Sequence, residues 1–255
     1  MGNREFIIKL LESNLRVDSR SLLEYRKPIK IEYEVIKTAE GSARVKVGDT
    51  EVIVGVKLEI GEPYPDTPNE GGIIVSAELL PLSNPNFELG PPSIDAIELA
   101  RIIDRGIRES NAIDLTRLCI KEGEKVWNVL IDICPINDGG NLIDVSGLAA
   151  VAALKNTVLP AYDGKKINYQ EKTNKKLPLL RYPLPVTVFK IANNFIVDPT
   201  TEEEEIVDAR LTVTTIKEGI CALQKGGETP LMFDEIKRMI EIGINKGKEL
   251  RSLLE

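Results

Sequence analysis

No histidine occurs anywhere in the 255 residues of this chain. That zero removes imidazole-based general acid and base catalysis, the serine–histidine–acid triad and histidine metal sites. Cysteine is nearly as scarce: Cys119, Cys134 and Cys221 are an odd set, too far apart in sequence for metal-ligand pairs. They read as ordinary thiols of a reduced, cytoplasmic protein. No apolar run approaches the roughly 20 residues that would span a bilayer, so no membrane partner is expected. Aromatic residues make up only 5% of the chain, with one tryptophan, which argues against a binder built on rows of base-stacking rings. Basic residues are also in the minority. The balance of 33 against 40 acids gives a net charge of −7, so any contact with nucleic acid is confined to a local patch.

What is present is ample for a folded core, since 42% of the residues are hydrophobic. The segment Arg4 to Ser13 places Phe6, Ile7, Leu10 and Leu11 on one helical face, predicting a short amphipathic helix. Past Pro28 the pattern turns to strands: IKIEYEVIKT, SARVKV and EVIVGVKLEI, separated by Glu40-Gly41 and Gly48-Asp49, predict an antiparallel meander. GEPYPDTPNEGG reads as a long exposed loop, and IIVSAELL as a further strand. A helix is expected from about Ser93 to Ser110, its isoleucines facing the core. Strands around LCI and KVWNVLIDICPI follow, and Gly139-Gly140 leads into the alanine-rich helix LIDVSGLAAVAALKN. The lysine-rich stretch Asp163 to Lys176 reads as an exposed connection or small excursion between two halves. Beyond it, PVTVFKIANNFIVD, DARLTVTTI and GICALQK predict strands, and a helix runs from about Phe233 to Leu254. The class is α+β: an N-terminal helical arm over 1–26, then two β-sheet-plus-helix halves over 27–160 and 180–255.

Three features carry candidate chemistry. Arg101, Arg105 and Arg108 stand at i, i+4 and i+7 and form a cationic stripe on one helix side, suited to phosphate contacts. Gly106 would let a partner approach that helix. The competing interpretation is a solvated face paired with Glu98, Asp104 and Glu109. Gly139-Gly140 could present N–H groups to an anion, but Asn141, Leu142, Ile143 and Asp144 add no cation and no hydroxyl, so a plain strand-to-helix turn is expected. The run TEEEEIVD suggests a metal site, yet consecutive glutamates rarely converge, and a solvated acidic loop is the better reading. Asp208, which heads a strand, is open to a structural or a catalytic role. No catalytic residue, metal ligand or cofactor site is assigned.

Taken together, RVDSRSLLEYR, GSARVKVGDTEVIVGVKLEI, IELARIIDRGIRES after FELGPP, EGEKVWNVLIDI, DGGNLIDVSGLAAVAAL and VDPTTEEE resemble the RNase PH family over nearly the whole chain. The likeness is strongest to its non-catalytic members in the archaeal exosome. It implies an RNase PH fold with two similar halves, ribosomal protein S5 domain 2-like. It also implies a hexameric ring alternating with a catalytic RNase PH-like subunit, RNA-binding cap proteins on one face, and phosphorolytic 3′-to-5′ degradation of RNA by the assembly. Active members carry adjacent arginines where this chain has Ser93, Ile94 and Asp95. They also carry serine or threonine with arginine where it has Asn141, Leu142 and Ile143. Asp208 falls near the position of their catalytic aspartate and is read as structural. Arg101 and Arg105, with Arg108 less so, match positions that contact RNA across the subunit interface. The alternative is an active homo-hexameric RNase PH-type exoribonuclease acting on tRNA 3′ ends.

Overall fold

A computed structural model describes residues 3–254. Helix α1 (Asn3–Glu12) comes first, and it seats Ile7 and Leu11 against Phe189, Ile191 and Ile196 of the second half, forming a small core of its own. Phe6 departs from the expected face and stays half exposed, because the buried stripe is only as wide as the sheet beneath it.

The first half opens with β1 (Ile29–Tyr33), β2 (Gly41–Val47) and β3 (Thr50–Gly61), the expected antiparallel meander. Gly48 turns between β2 and β3 with φ +57°, a conformation that favours glycine. The proline-rich loop follows, and β4 (Gly72–Ala77) then runs parallel to the long β6 (Lys125–Asn137), which also carries the short β5 (Cys119–Lys121). The strand order is β1-β2-β3-β6-β4. Helix α2 (Ile94–Glu109) is capped by Ser93, whose Oγ accepts the N–H of Ala96 at 3.2 Å.

Helix α3 (Leu142–Lys155) is buried on every side from Asp144 to Leu154. It packs on β2 and β3 on one side and on β9 (Leu184–Ile191) on the other, so it forms the layer between the two sheets. A helix apolar all round belongs in such a position. Its small residues let the sheets approach: a Cβ on Gly147 would lie 2.2 Å from Cγ of Pro185.

The stretch expected to be an exposed connection or small excursion holds a regular strand, β8 (Ile167–Lys176), paired antiparallel with β7 (Val158–Tyr162) just before it. The polar composition of β8 hid it, since among the described residues the hairpin touches the core only through Leu159, Tyr162 and Ile167 near its ends. Thr173 Oγ1 donates to the Leu159 carbonyl at 2.6 Å, and Lys57 lies over the Tyr169 ring at 4.5 Å. The second sheet has the order β10-β9-β11-β12, with β10 (Asn194–Val197), β11 (Ala209–Thr215) and β12 (Ile220–Gly226), and is covered by α5 (Phe233–Ser252).

The acidic run is solvated as expected at Glu202, Glu204 and Glu205, but it is not a loop and Glu203 departs from it. Thr201–Glu204 forms the short helix α4, with Thr200 and Glu203 making a capping box, and Glu203 is fully buried. Among the described residues no helix is long and apolar enough to cross a membrane.

Candidate nucleic-acid interface

Helix α2 belongs to the first half, yet one flank of it runs along β11 and β12 of the second. Between them lies an open groove of about 780 Å³ whose walls include Ile97, Arg101, Arg105, Thr214, Leu223 and Gln224. The three arginines of the stripe all reach it, but they are not equivalent. Arg108 is tied down: its Nε donates to both oxygens of Asp104 at 2.8 and 2.9 Å, and an Nη donates to the Ile73 carbonyl. Glu98 is committed to Arg210 at 2.7 Å. Arg101 and Arg105 are exposed and have no ion pair or hydrogen bond among the described residues. The expected pairing of the stripe with Glu98, Asp104 and Glu109 therefore holds for Arg108 alone.

Two sequence expectations fail at this helix. Gly106 does not face outward; a Cβ there would sit 3.0 Å from Cγ2 of Thr214, so the glycine serves close packing of α2 on β11. Ile94 and Ile97 are 83% and 48% exposed instead of buried. They line the groove and give it an apolar lip beside its two unpaired cations.

A second constellation clasps the two halves together. The extended segment after α1 carries three arginines that converge on the β10–α4 corner. Arg16 and Glu203, both completely buried, form an ion pair, and Arg16 also donates to the carbonyls of Val197 and Asp198 at 2.7 and 2.9 Å. Asp198, also buried, accepts from the Arg26 backbone N–H at 2.6 Å, from Arg26 Nη2 at 2.8 Å, from Arg20 Nη1 at 3.1 Å and from Asn141 Nδ2 at 3.1 Å. Arg26 continues to the carbonyls of Gly139 and Gly140. The glycine pair thus presents its carbonyls to a cation, which fits the expected plain turn. Sequence reasoning gave Arg16, Arg20, Arg26 and Asp198 no role of their own. Their signal was the spacing of arginines in a short stretch with little apolar content.

The N-terminus of α3 closes a cleft between the halves. Asn141 stands there with φ 59°, and its N–H is taken by Glu204 Oε2 at 3.1 Å. Asp95, Glu98, Asp138, Leu142, Ile143 and Arg210 line the same cleft. Its one arginine is the partner of Glu98, so the surroundings are acidic. One turn into α3, Asp144 accepts from Tyr25 Oη and from the Thr187 N–H, each at 2.8 Å. Burial pushes its carboxyl up to about 7 in spite of those bonds. Asp208 lines none of this. It accepts from Arg4 Nη2 at 2.9 Å and from the Ala192 N–H at 2.6 Å, bracing α1 against the β9–β10 turn. Partial burial raises its carboxyl, but these partners outweigh that and hold it below the usual range.

Comparison with known proteins matches residues 25–160 to domain 1 and residues 181–246 to domain 2 of the 3′ exoribonuclease family, the RNase PH family. The chain belongs to the RNase PH family. Among its relatives, the exosome complex component Rrp42 of Archaeoglobus fulgidus is 48% identical, with 97% of this chain and 94% of that protein covered. The exosome complex component Rrp42 of Thermococcus kodakarensis is 46% identical, with 97% and 92% covered. In structure, this RNase PH-family chain is similar to a chain of the Archaeoglobus fulgidus exosome with RNA bound to the active site, with a TM-score of 0.92, 46% identity and 99% and 98% coverage. Rice Rrp46, at 17% identity and a TM-score of 0.70, shares the RNase PH fold.

Proposed function

We propose that this chain is a non-catalytic RNase PH-family subunit of an archaeal-type exosome, cytoplasmic. In a hexameric ring with a catalytic relative it shapes the partner's active site and holds RNA during phosphorolytic 3′-to-5′ degradation. The observation that carries the reading is the acidic setting of the α3 N-terminus. Phosphorolysis needs an orthophosphate held where charge develops, and here the N–H of the cap residue Asn141 is bonded to Glu204 in a cleft lined by further carboxylates. The unpaired Arg101 and Arg105 supply the RNA-contacting part of the proposal: guanidinium groups free of internal partners are available to phosphodiester oxygens. RNA-binding cap proteins complete the assembly in this reading, and the likeness to solved exosome chains supports ring membership.

The experiment combines activity and assembly. The purified chain, given RNA and orthophosphate, releases no nucleoside diphosphate. Mixed with a catalytic RNase PH-like subunit it forms a ring by light scattering. The Arg101→Ala/Arg105→Ala ring assembles normally but binds RNA at least about tenfold more weakly, independent of base sequence. Robust phosphorolysis by the pure chain would establish the homo-hexameric enzyme instead.

A further inference from the structure

On the outer face of the first sheet, far along the chain from the α2 groove, like charges stand opposite one another. β1 and β2 pair so that Lys30 stands directly opposite Lys46. Like charges in that position repel, and a cross-strand pair there favours opposite signs. The register offers Lys46 a remedy on its other side, because Glu51 of β3 is its neighbour. That carboxylate is turned instead to Arg44 Nε at 3.4 Å. Lys27, just before β1, joins them on the rim of one open groove with Lys30 and Lys46, backed by Arg20 and Arg26. None of the three lysines has an ion pair or hydrogen bond among the described residues. The arginines behind them are committed to the buried Asp198, and Arg20 also to Asp18. Asp49 is the one acid on the rim without an ion pair among the described residues. An acidic protein that leaves three lysines converging and unneutralised has stored repulsion that an external polyanion relieves.

We propose that Lys27, Lys30 and Lys46 form a phosphate cradle for single-stranded RNA, distinct from the groove beside Arg101. The choice of RNA over an acidic protein follows from the lining. Protein interfaces have an apolar centre, whereas only Pro28 and Gly48 interrupt the charged residues of this groove. No aromatic ring lines it, so bases are not stacked there, and ammonium groups act as point charges without reading an edge. The cradle therefore tracks the backbone of any sequence and extends the RNA-binding surface beyond the α2 groove. This rests on the reading of the chain as an RNA-contacting ring subunit.

The test measures fluorescence anisotropy of long and short oligouridylates on the full chain, alone and in the assembled ring, at two salt concentrations. Lys27→Ala/Lys30→Ala/Lys46→Ala is compared with Lys27→Arg/Lys30→Arg/Lys46→Arg and with Arg101→Ala/Arg105→Ala. Each phosphate contact on a single strand adds about 0.7 to the salt slope. The triple alanine variant should lose about 2 in slope for the long oligomer, so a fourfold rise in salt costs it about 15-fold less affinity than it costs the parent. The arginine triple should bind as the parent does. Thermal stability of the alanine variant should be equal or higher, because the opposed lysines no longer repel. Parental affinity and slope in the alanine triple, with a loss in the Arg101/Arg105 variant, would overturn the cradle and leave the ring reading intact. Loss in neither variant would overturn both. Parental RNA affinity with failed assembly would assign the lysines to a protein contact and overturn the proposal as well.

Discussion

Removing the carboxylate of Asp198 tests the clasp that sets the two halves against one another. Asp198→Ala takes away the acceptor of the Arg26 backbone N–H and guanidinium, of Arg20 and of Asn141. Arg26 is 8% exposed and keeps only carbonyl and hydroxyl partners after the change. Its charge would sit buried without a counter-ion, a situation that costs roughly 3–5 kcal/mol. For a chain of this size that lowers Tm by roughly 10 °C. The assay is chemical denaturation followed by tryptophan fluorescence, with Arg26→Met and the double variant completing a cycle. A large part of the loss should be recovered in the double variant, because the methionine leaves no orphaned charge. The groove beside Arg101 is walled by α2 from one half and β12 from the other, so the single variant should also lose RNA affinity in the folded protein. A stability loss under about 1 kcal/mol, or additive single effects, would refute the idea that Asp198 neutralises this corner.

Asp144 gives a pH signature of the opposite sign to ordinary acid denaturation. Its carboxyl is raised to about 7 when folded, so the stability it contributes is present below the ordinary range near 4 and is lost as pH rises to 7. Relative to Asp144→Asn, the parent should lose roughly 3–4 kcal/mol between pH 4 and 7; a difference that stays constant with pH would contradict this. Gly147→Ala should destabilise by roughly 1–3 kcal/mol, since its methyl would enter the Pro185 ring between the two sheets. An unchanged denaturation midpoint would show that α3 and β9 can separate freely.

Elements with a strong local signal were legible. The meander between Pro28 and Gly61, the Ser93-capped helix and the alanine-rich helix followed from alternation, turn residues and capping chemistry, which act between neighbours in sequence. The β7–β8 hairpin was not legible, because β8 is polar and lysine-rich with no alternation, and β7, with Leu159 and Tyr162 against the core, is too short to announce a pairing by itself. Glu203 was misread for a related reason. Its solvation depended on Arg16, which lies far from it in sequence and directly beside it in space.

The stripe of Arg101, Arg105 and Arg108 was visible from helical spacing, and so was the lack of cationic and hydroxyl groups after Gly140. Which arginines are free was not. Spacing places all three on one flank, but Asp104 holds only Arg108 and Arg210 draws Glu98 away. The sequence alone determined the α+β class, the N-terminal helix, the absence of histidine chemistry and the side of α2 that carries cations. Only the tertiary structure decided that Gly106 faces β11, that Glu204 takes the Asn141 N–H ahead of α3 and that Lys30 opposes Lys46. Helical period and turn chemistry are encoded within a few residues, whereas charge neutralisation depends on which distant groups the packed halves bring within hydrogen-bonding reach.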